Sequence, residues 1–214
     1  MVALAGAVNA ALRRVPVWPV HALAVAVSVW MVWRAASGGM GPDPVKALEH
    51  RFGLLALQCL IAGLAVTPLL RFAGINLMRF RRAIGLVAFG FALLHLLVWA
   101  LLDVQLDWAG MLRDIARRPY VTVGMAAFLL LVPLAATSSD SAVARLGAVA
   151  WRRLHRLVYI AAPLAAAHFV MLGKTWETEA LAYLAATLIL LLLRLPAFRR
   201  RRPGARRPAA VPPG

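Results

Sequence analysis

Residues 151–172 read WRRLHRLVYIAAPLAAAHFVML. The stretch is apolar enough to lie in a lipid bilayer, yet it carries two histidines, His155 and His168. A third, His95, lies in a second apolar run, RAIGLVAFGFALLHLLVWALL, at 82–102. Ionisable side chains at membrane depth are costly and usually mark a functional path. Imidazole is a good ligand for iron. The reading that follows is that these histidines hold haem iron and that the chain moves electrons across or along a membrane.

The rest of the chain supports the membrane class. Of its 214 residues 63% are hydrophobic, and the mean hydropathy is +0.78. Soluble domains sit nearer half apolar. The formal charge of +16 would suggest nucleic acid in a soluble protein. Here the basic residues flank apolar runs, where they act as topology signals and contacts to anionic membrane lipid, so nucleic acid is set aside. The lone cysteine, Cys59, sits in an apolar run, which rules out an intramolecular disulfide or a CxxC redox pair and makes it a small buried hydrophobe. Residues 1–15 lack the pattern of a cleavable signal peptide.

A spanning helix needs about 20 apolar residues. Six runs qualify or come close: 16–34, 52–71, 83–102, 119–136, 151–172 and 179–197. The expected fold is therefore an all-α integral membrane protein, with one six-helix domain over 16–197. It lies between a short cytoplasmic N-terminus (1–15) and a basic, Pro/Arg-rich cytoplasmic tail (198–214) expected to be disordered. Alternate connectors differ in charge: one set, with both termini, holds 17 of the 24 basic residues. That set is inside, which puts both termini in the cytoplasm. Asp43 is expected to cap the second helix with Pro44 in its first turn, and Pro119 to open the fourth. The outer loop at 103–118 has the spacing of an amphipathic surface helix, and the inner loop is expected to be helical from Ala142. Gly85, Gly90 and Gly124 are expected to let helices pack closely.

Orientation turns positions into depths. His95 and His168 each lie roughly 7–10 Å from the outer ends of their helices. They share a depth, as the two axial ligands of one haem must. His155 lies some 20 Å further in. It is a candidate for a second, inner haem, with His21 as the other histidine at comparable depth. The 13-residue interval from His155 to His168 puts them about 140° apart on a regular helix. Pro163 between them offers a place for the winding to change. No HExxH, no Ser/His/Asp arrangement and no acidic cluster within the apolar runs compete with this reading.

The stretches GPDPVKALEHRFG, LAVTPLLR, RFRRAIGLVAFGFALLHLLVW, RRPYVTVGM, PLAATSSDSAVARLG and WRRLHRLVYIAAPLAAAHF carry a resemblance over about 16–195. Together they resemble the MsrQ (YedZ) family. These are haem-bearing membrane subunits of bacterial MsrPQ methionine sulfoxide reductase systems, within the ferric-reductase-like transmembrane group. The resemblance implies a six-helix bundle in the inner membrane with b-type haem (one, or two if the inner site is filled) and associated FMN. It implies electrons from the quinone pool or a cytosolic flavin reductase. They pass to MsrP, a periplasmic molybdopterin enzyme that repairs oxidised proteins. The chain would thus be an electron-transfer subunit rather than the catalytic one. The family's haem histidines carry over onto His95, His155 and His168. Ferric reductases and NADPH oxidases have two histidines on each of two helices; here the position 14 residues before His95 is Arg81. The basic inner residues Arg79, Arg81, Arg82, Arg152 and Arg153 suit a flavin phosphate or an acidic donor. The outer loop around Trp108–Tyr120 suits the periplasmic partner. Competing readings are a stand-alone ferric reductase or quinol-oxidising cytochrome b, and a transporter or scaffold without redox chemistry.

Overall fold

The structure, a computed structural model, describes residues 2–173 and 175–194. The basic tail 198–214 and the last residues of the sixth apolar run lie outside the described residues. Nine α-helices follow in order among the described residues: α1 (Val2–Arg14), α2 (Trp18–Ala36), α3 (Pro44–Pro68), α4 (Arg81–Val98), α5 (Trp108–Arg117), α6 (Pro119–Ala136), α7 (Asp140–Leu154), α8 (Val158–Leu172) and α9 (Thr178–Leu192). No strand occurs among them.

Local chemistry sets the boundaries. The Asp43 carboxylate accepts a hydrogen bond from the Lys46 amide at 3.0 Å, and Pro44 fills the first position, where an amide hydrogen is not needed. Pro119 opens α6 in the same way. Ser139 caps α7 through the Ala142 amide at 3.1 Å. α3 and α4 are each prolonged by one π-helical turn, Leu69–Ala73 and Trp99–Asp103. Gly74, at φ +71°, then ends the α3 extension in the left-handed conformation that glycine adopts most readily. The expected surface helix at 103–118 is α5. Residues 2–14, expected only as a short terminal segment, form a helix of their own, tied down where the Asn9 amide donates to the Gly74 carbonyl at 2.8 Å.

Five helical stretches are long and apolar enough to cross a membrane: Trp18–Ala36, Pro44–Ala73, Met78–Asp103, Pro119–Ala136 and Asp140–Leu172. α9 is apolar but has 15 residues, roughly 22 Å of helix, so as described it is shorter than the hydrocarbon layer. The fifth stretch is not one regular helix. α7 bends at Gly147 (φ +75°), and a three-residue 3₁₀ turn at His155–Leu157 separates it from α8. The winding therefore changes at His155, whereas Pro163 lies inside α8. The angle expected between His155 and His168 on one regular helix does not apply.

α3, α4, α6 and α8 form the central bundle; α2 packs on α3 and α4, and α9 on α3 and α8. Where these helices meet, alanines do the work. Ala88, Ala161, Ala162 and Ala166 are fully buried, and small side chains let backbones approach closely. They belong with Leu60, Leu64, Leu131 and Leu134 to the core at the inner end (inner and outer follow the charge asymmetry above), except Ala166. A second core, with Phe52 stacked on Phe91 at 6.2 Å, joins α2, α3 and α4. The glycine expectation is corrected: a Cβ added at Gly85 or Gly90 would meet nothing within 4 Å.

Candidate functional site

Two cavities of about 430 Å³ each lie one beyond the other along the central bundle. That is within the usual range for small-molecule sites. Leu60 and Leu131 line both and form the partition. The outer cavity lies between α3, α4, α6 and α8 and is lined by His95 and His168. The inner one is lined by His155 together with Arg81, Arg82 and Arg152.

In the outer cavity the two imidazoles are neighbours, with ring centroids 6.1 Å apart and ring planes at 73° to each other. His95 Nδ1 lies 2.8 Å from the Glu49 carbonyl oxygen, and His168 Nδ1 lies 2.7 Å from that of Tyr120. A carbonyl can only accept, so each Nδ1 carries the proton and donates. In the neutral ring Nε2 then holds the lone pair, and neither Nε2 has a hydrogen-bond partner among the described residues. This is how metal-binding histidines are oriented.

The same device aims both rings. A helical carbonyl at position i points toward residue i+4. Residue i+4 is Gly53 beneath Glu49 and Gly124 beneath Tyr120. A Cβ at Gly53 would lie 3.0 Å from His95 Nδ1, and one at Gly124 would lie 2.7 Å from His168 Nδ1. Glycine clears the space through which each imidazole reaches a carbonyl on the neighbouring helix. Gly124 therefore serves close approach as expected, but of a side chain. Gly53 was not anticipated. Its signal was a glycine inside an apolar helix, which costs about 1 kcal/mol relative to alanine and so calls for a reason.

The donor set also indicates which metal species fits. Among the described residues no three His, Cys, Asp or Glu side chains converge. A bare transition-metal ion held by protein alone usually takes more ligands than two. Two opposed imidazoles are what a macrocycle needs, since it supplies the equatorial ligands to its iron itself. Two ring nitrogens on one metal ion at about 2 Å each put the ring centres about 6 Å apart, close to the separation found. Apolar Leu57, Ala92, Phe128 and Phe169 line the walls. The mouth is polar: Lys46 Nζ pairs with Asp103 at 2.5 Å and with Glu49 at 3.2 Å. His50 also lines this cavity and packs on Phe169, with ring centroids 5.6 Å apart.

The inner cavity is built differently. His155 stacks on Trp151 with centroids 3.9 Å apart, and its Nε2 lies 3.2 Å from Thr137 Oγ1. That hydroxyl donates its single hydrogen to the Pro133 carbonyl at 2.6 Å, so it accepts from His155 Nε2–H. No second histidine stands opposite among the lining residues. His21 is exposed on α2 and lines neither cavity, so the structure does not bring it to His155. Arg81 does line this cavity beside His155. Of the other basic candidates, Arg82 pairs with Asp140, Arg79 donates to the Leu12 and Arg13 carbonyls, and Arg153 is exposed outside the cavity lining.

Residues 51–166 match the family described as ferric reductase like transmembrane component. That segment carries most of α3, both orienting glycines, His95 and His155, and ends two residues before His168. The chain is also 44% identical over 191 residues to the protein-methionine-sulfoxide reductase heme-binding subunit MsrQ of Brucella ovis, covering 88% of this chain and 86% of the relative. The subunits of Brucella canis and Brucella suis match to the same extent. The chain belongs to the MsrQ family. It is accordingly a multi-pass membrane protein of the ferric-reductase-like class. For an MsrQ chain the two cavities fall within the matched part, apart from the outer end of α8 and the first residues of α3.

Proposed function

We propose that this chain is the membrane haem b electron-transfer subunit of a methionine sulfoxide reductase system, with His95 and His168 as the axial ligands of its outer haem. The observation that carries the reading is the pair itself. Two imidazoles line one largely apolar cavity, each with Nδ1 committed to a backbone carbonyl and Nε2 without a hydrogen-bond partner among the described residues. The bound haem would supply reversible one-electron chemistry at its iron. The protein's part is orientation and exclusion of water. Glu49 and Tyr120 carbonyls fix the tautomer and ring planes, Gly53 and Gly124 make room for that, and apolar walls keep the site dry.

Family membership supports the flow of electrons. They enter at the basic inner side, from the quinone pool or a cytosolic flavin reductase, with FMN associated there. They leave at the outer side to a periplasmic molybdopterin partner of the MsrP type. The charge asymmetry, the apolar run at 179–197 and family membership support six spans, both termini in the cytoplasm and residence in the bacterial inner membrane. His155 with Arg81 suits an inner redox group; His21 does not contribute.

Purified protein tests the reading. It is expected to show a Soret band, and an α band that sharpens on dithionite reduction. Membranes are expected to support methionine sulfoxide reduction only with the periplasmic partner present. A colourless protein after haem supplementation sinks the haem reading, and activity without the partner sinks the subunit reading.

A further inference from the structure

The inner end of α9 holds positive charge that nothing among the described residues neutralises. Arg194 Nη2 donates to the Leu64 carbonyl at 2.5 Å, and Nη1 donates to the Tyr159 hydroxyl at 2.9 Å. Leu64 is four residues before Pro68, which has no amide hydrogen to give it, so its carbonyl needs another donor. That explains a donor at Arg194 but not a charge, because a neutral amide would serve. The Arg194 Nε is buried with no hydrogen-bond partner among the described residues. A second guanidinium is anchored beside it, where Arg71 Nη1 donates to the Leu193 carbonyl at 3.2 Å. Arg81 lines the inner cavity together with Tyr159.

No carboxylate among the described residues answers these three. Among the described residues none of them forms a salt bridge. The whole chain has eight Asp and Glu. Of these only Asp140 lies in the inner connectors, and it is held by Arg82. Clustered like charges without a counter-ion are unfavourable wherever water is scarce. Tyr159 completes the arrangement: its oxygen accepts from Arg194, so its own hydrogen remains free to donate.

We propose that Arg71, Arg81, Arg194 and the Tyr159 hydroxyl bind the phosphate of an anionic membrane phospholipid. Guanidinium groups match phosphate oxygens well, and the hydroxyl adds a fourth donor group beside the three arginines. The choice of a lipid over a soluble phosphate rests on what flanks these residues. Leu69, Leu70 and Phe72 beside Arg71, Ile160 beside Tyr159 and Leu192 near Arg194 are all exposed and apolar. They offer a lipid-facing rim for acyl chains. The site lies where the π turn after α3, the start of α8 and the end of α9 meet the start of α4; it borders the inner cavity, whose lining includes Arg81 and Tyr159, and does not depend on the outer haem reading.

Native mass spectrometry of the full-length protein in detergent, titrated with phosphatidylglycerol, phosphatidylcholine, inorganic phosphate or FMN, tests this. Phosphatidylglycerol is expected to bind about tenfold more tightly than phosphatidylcholine, and Arg71→Gln or Tyr159→Phe to weaken it by about threefold to tenfold. Arg194→Gln is expected to weaken it more, but it also disturbs the Leu64 carbonyl, so the first two variants carry the test. Equal binding of the two lipids, unchanged binding in both variants, or displacement of phosphatidylglycerol by equimolar phosphate or FMN would each overturn the proposal.

Discussion

The two cavities share four helices, a partition at Leu60 and Leu131, and a volume of about 430 Å³ each. They differ in what has been done to their histidines. In the outer one, two rings are turned by backbone carbonyls so that both free nitrogens are Nε2. In the inner one, a single ring stacks on Trp151 and spends Nε2 on a threonine hydroxyl, among arginines. Space alone therefore does not make a bis-imidazole site. What makes it is a carbonyl at the right depth and a glycine four residues later that exposes it.

The largest expected effect breaks the outer site outright. His95→Ala and His168→Ala should each abolish or severely reduce bound haem, read as Soret absorbance per protein. His21→Ala should leave it unchanged. Retention of low-spin haem in both outer variants would show that another pair holds the iron. His155→Ala separates the cavities: the outer low-spin spectrum should persist, with any loss confined to a second component. If that variant lost all haem, the two cavities would not be independent.

Next come the glycines, which act through geometry rather than ligation. Gly124→Ala puts a methyl group 2.7 Å from His168 Nδ1, and Gly53→Ala puts one 3.0 Å from His95 Nδ1. Disturbing an orienting partner of a metal ligand typically costs about 10–100-fold in affinity. Haem retention in a competition assay should fall by that order, more for Gly124→Ala than for Gly53→Ala. Gly90→Ala is the control. Nothing lies within 4 Å of its added Cβ, so it should keep haem and, as a replacement inside a helix, stabilise the fold by about 0.5–1 kcal/mol. Equal haem loss in all three would mean the outer site is not aimed this way.

These tests bear on what the sequence could disclose. Five of the spans, the α3 cap and the surface helix were legible because they depend on local pattern: apolar runs, Asp43 before Pro44, and Trp108 with Leu112 at helical spacing. The His95–His168 pair was legible from depth alone, since a regular helix converts residue count to distance. The break at His155 was not, because a proline eight residues on drew attention to itself while a 3₁₀ turn has no comparable marker. The inner pairing of His155 with His21 failed for a related reason. Similar depth says nothing about rotation or about which helix lies next door, and α2 sits at the edge of the bundle. The carbonyl partners were hidden too, since the imidazoles use the backbone of Glu49 and Tyr120, and a backbone carbonyl leaves no mark in residue type.

The smallest expected effects come from the ion pairs at the two mouths, and they sharpen the comparison in solution conditions. At the outer mouth Lys46 joins α3 to the π turn that extends α4, with the Lys46 and Asp103 side chains 53% and 26% exposed. Such a partly exposed pair is worth about 0.2–1 kcal/mol and is weakened by salt. Asp103→Asn should therefore lower thermal stability slightly at low ionic strength, and the difference should shrink as salt is raised. Haem content should not change, because the imidazoles are held by backbone rather than by this pair. At the inner mouth Arg82 pairs with Asp140, whose side chain is 90% exposed. Asp140→Asn should have no measurable effect on stability at any ionic strength. If Asp103→Asn instead released haem, the polar rim would be part of the outer site, and carbonyl and glycine geometry would no longer suffice to account for it.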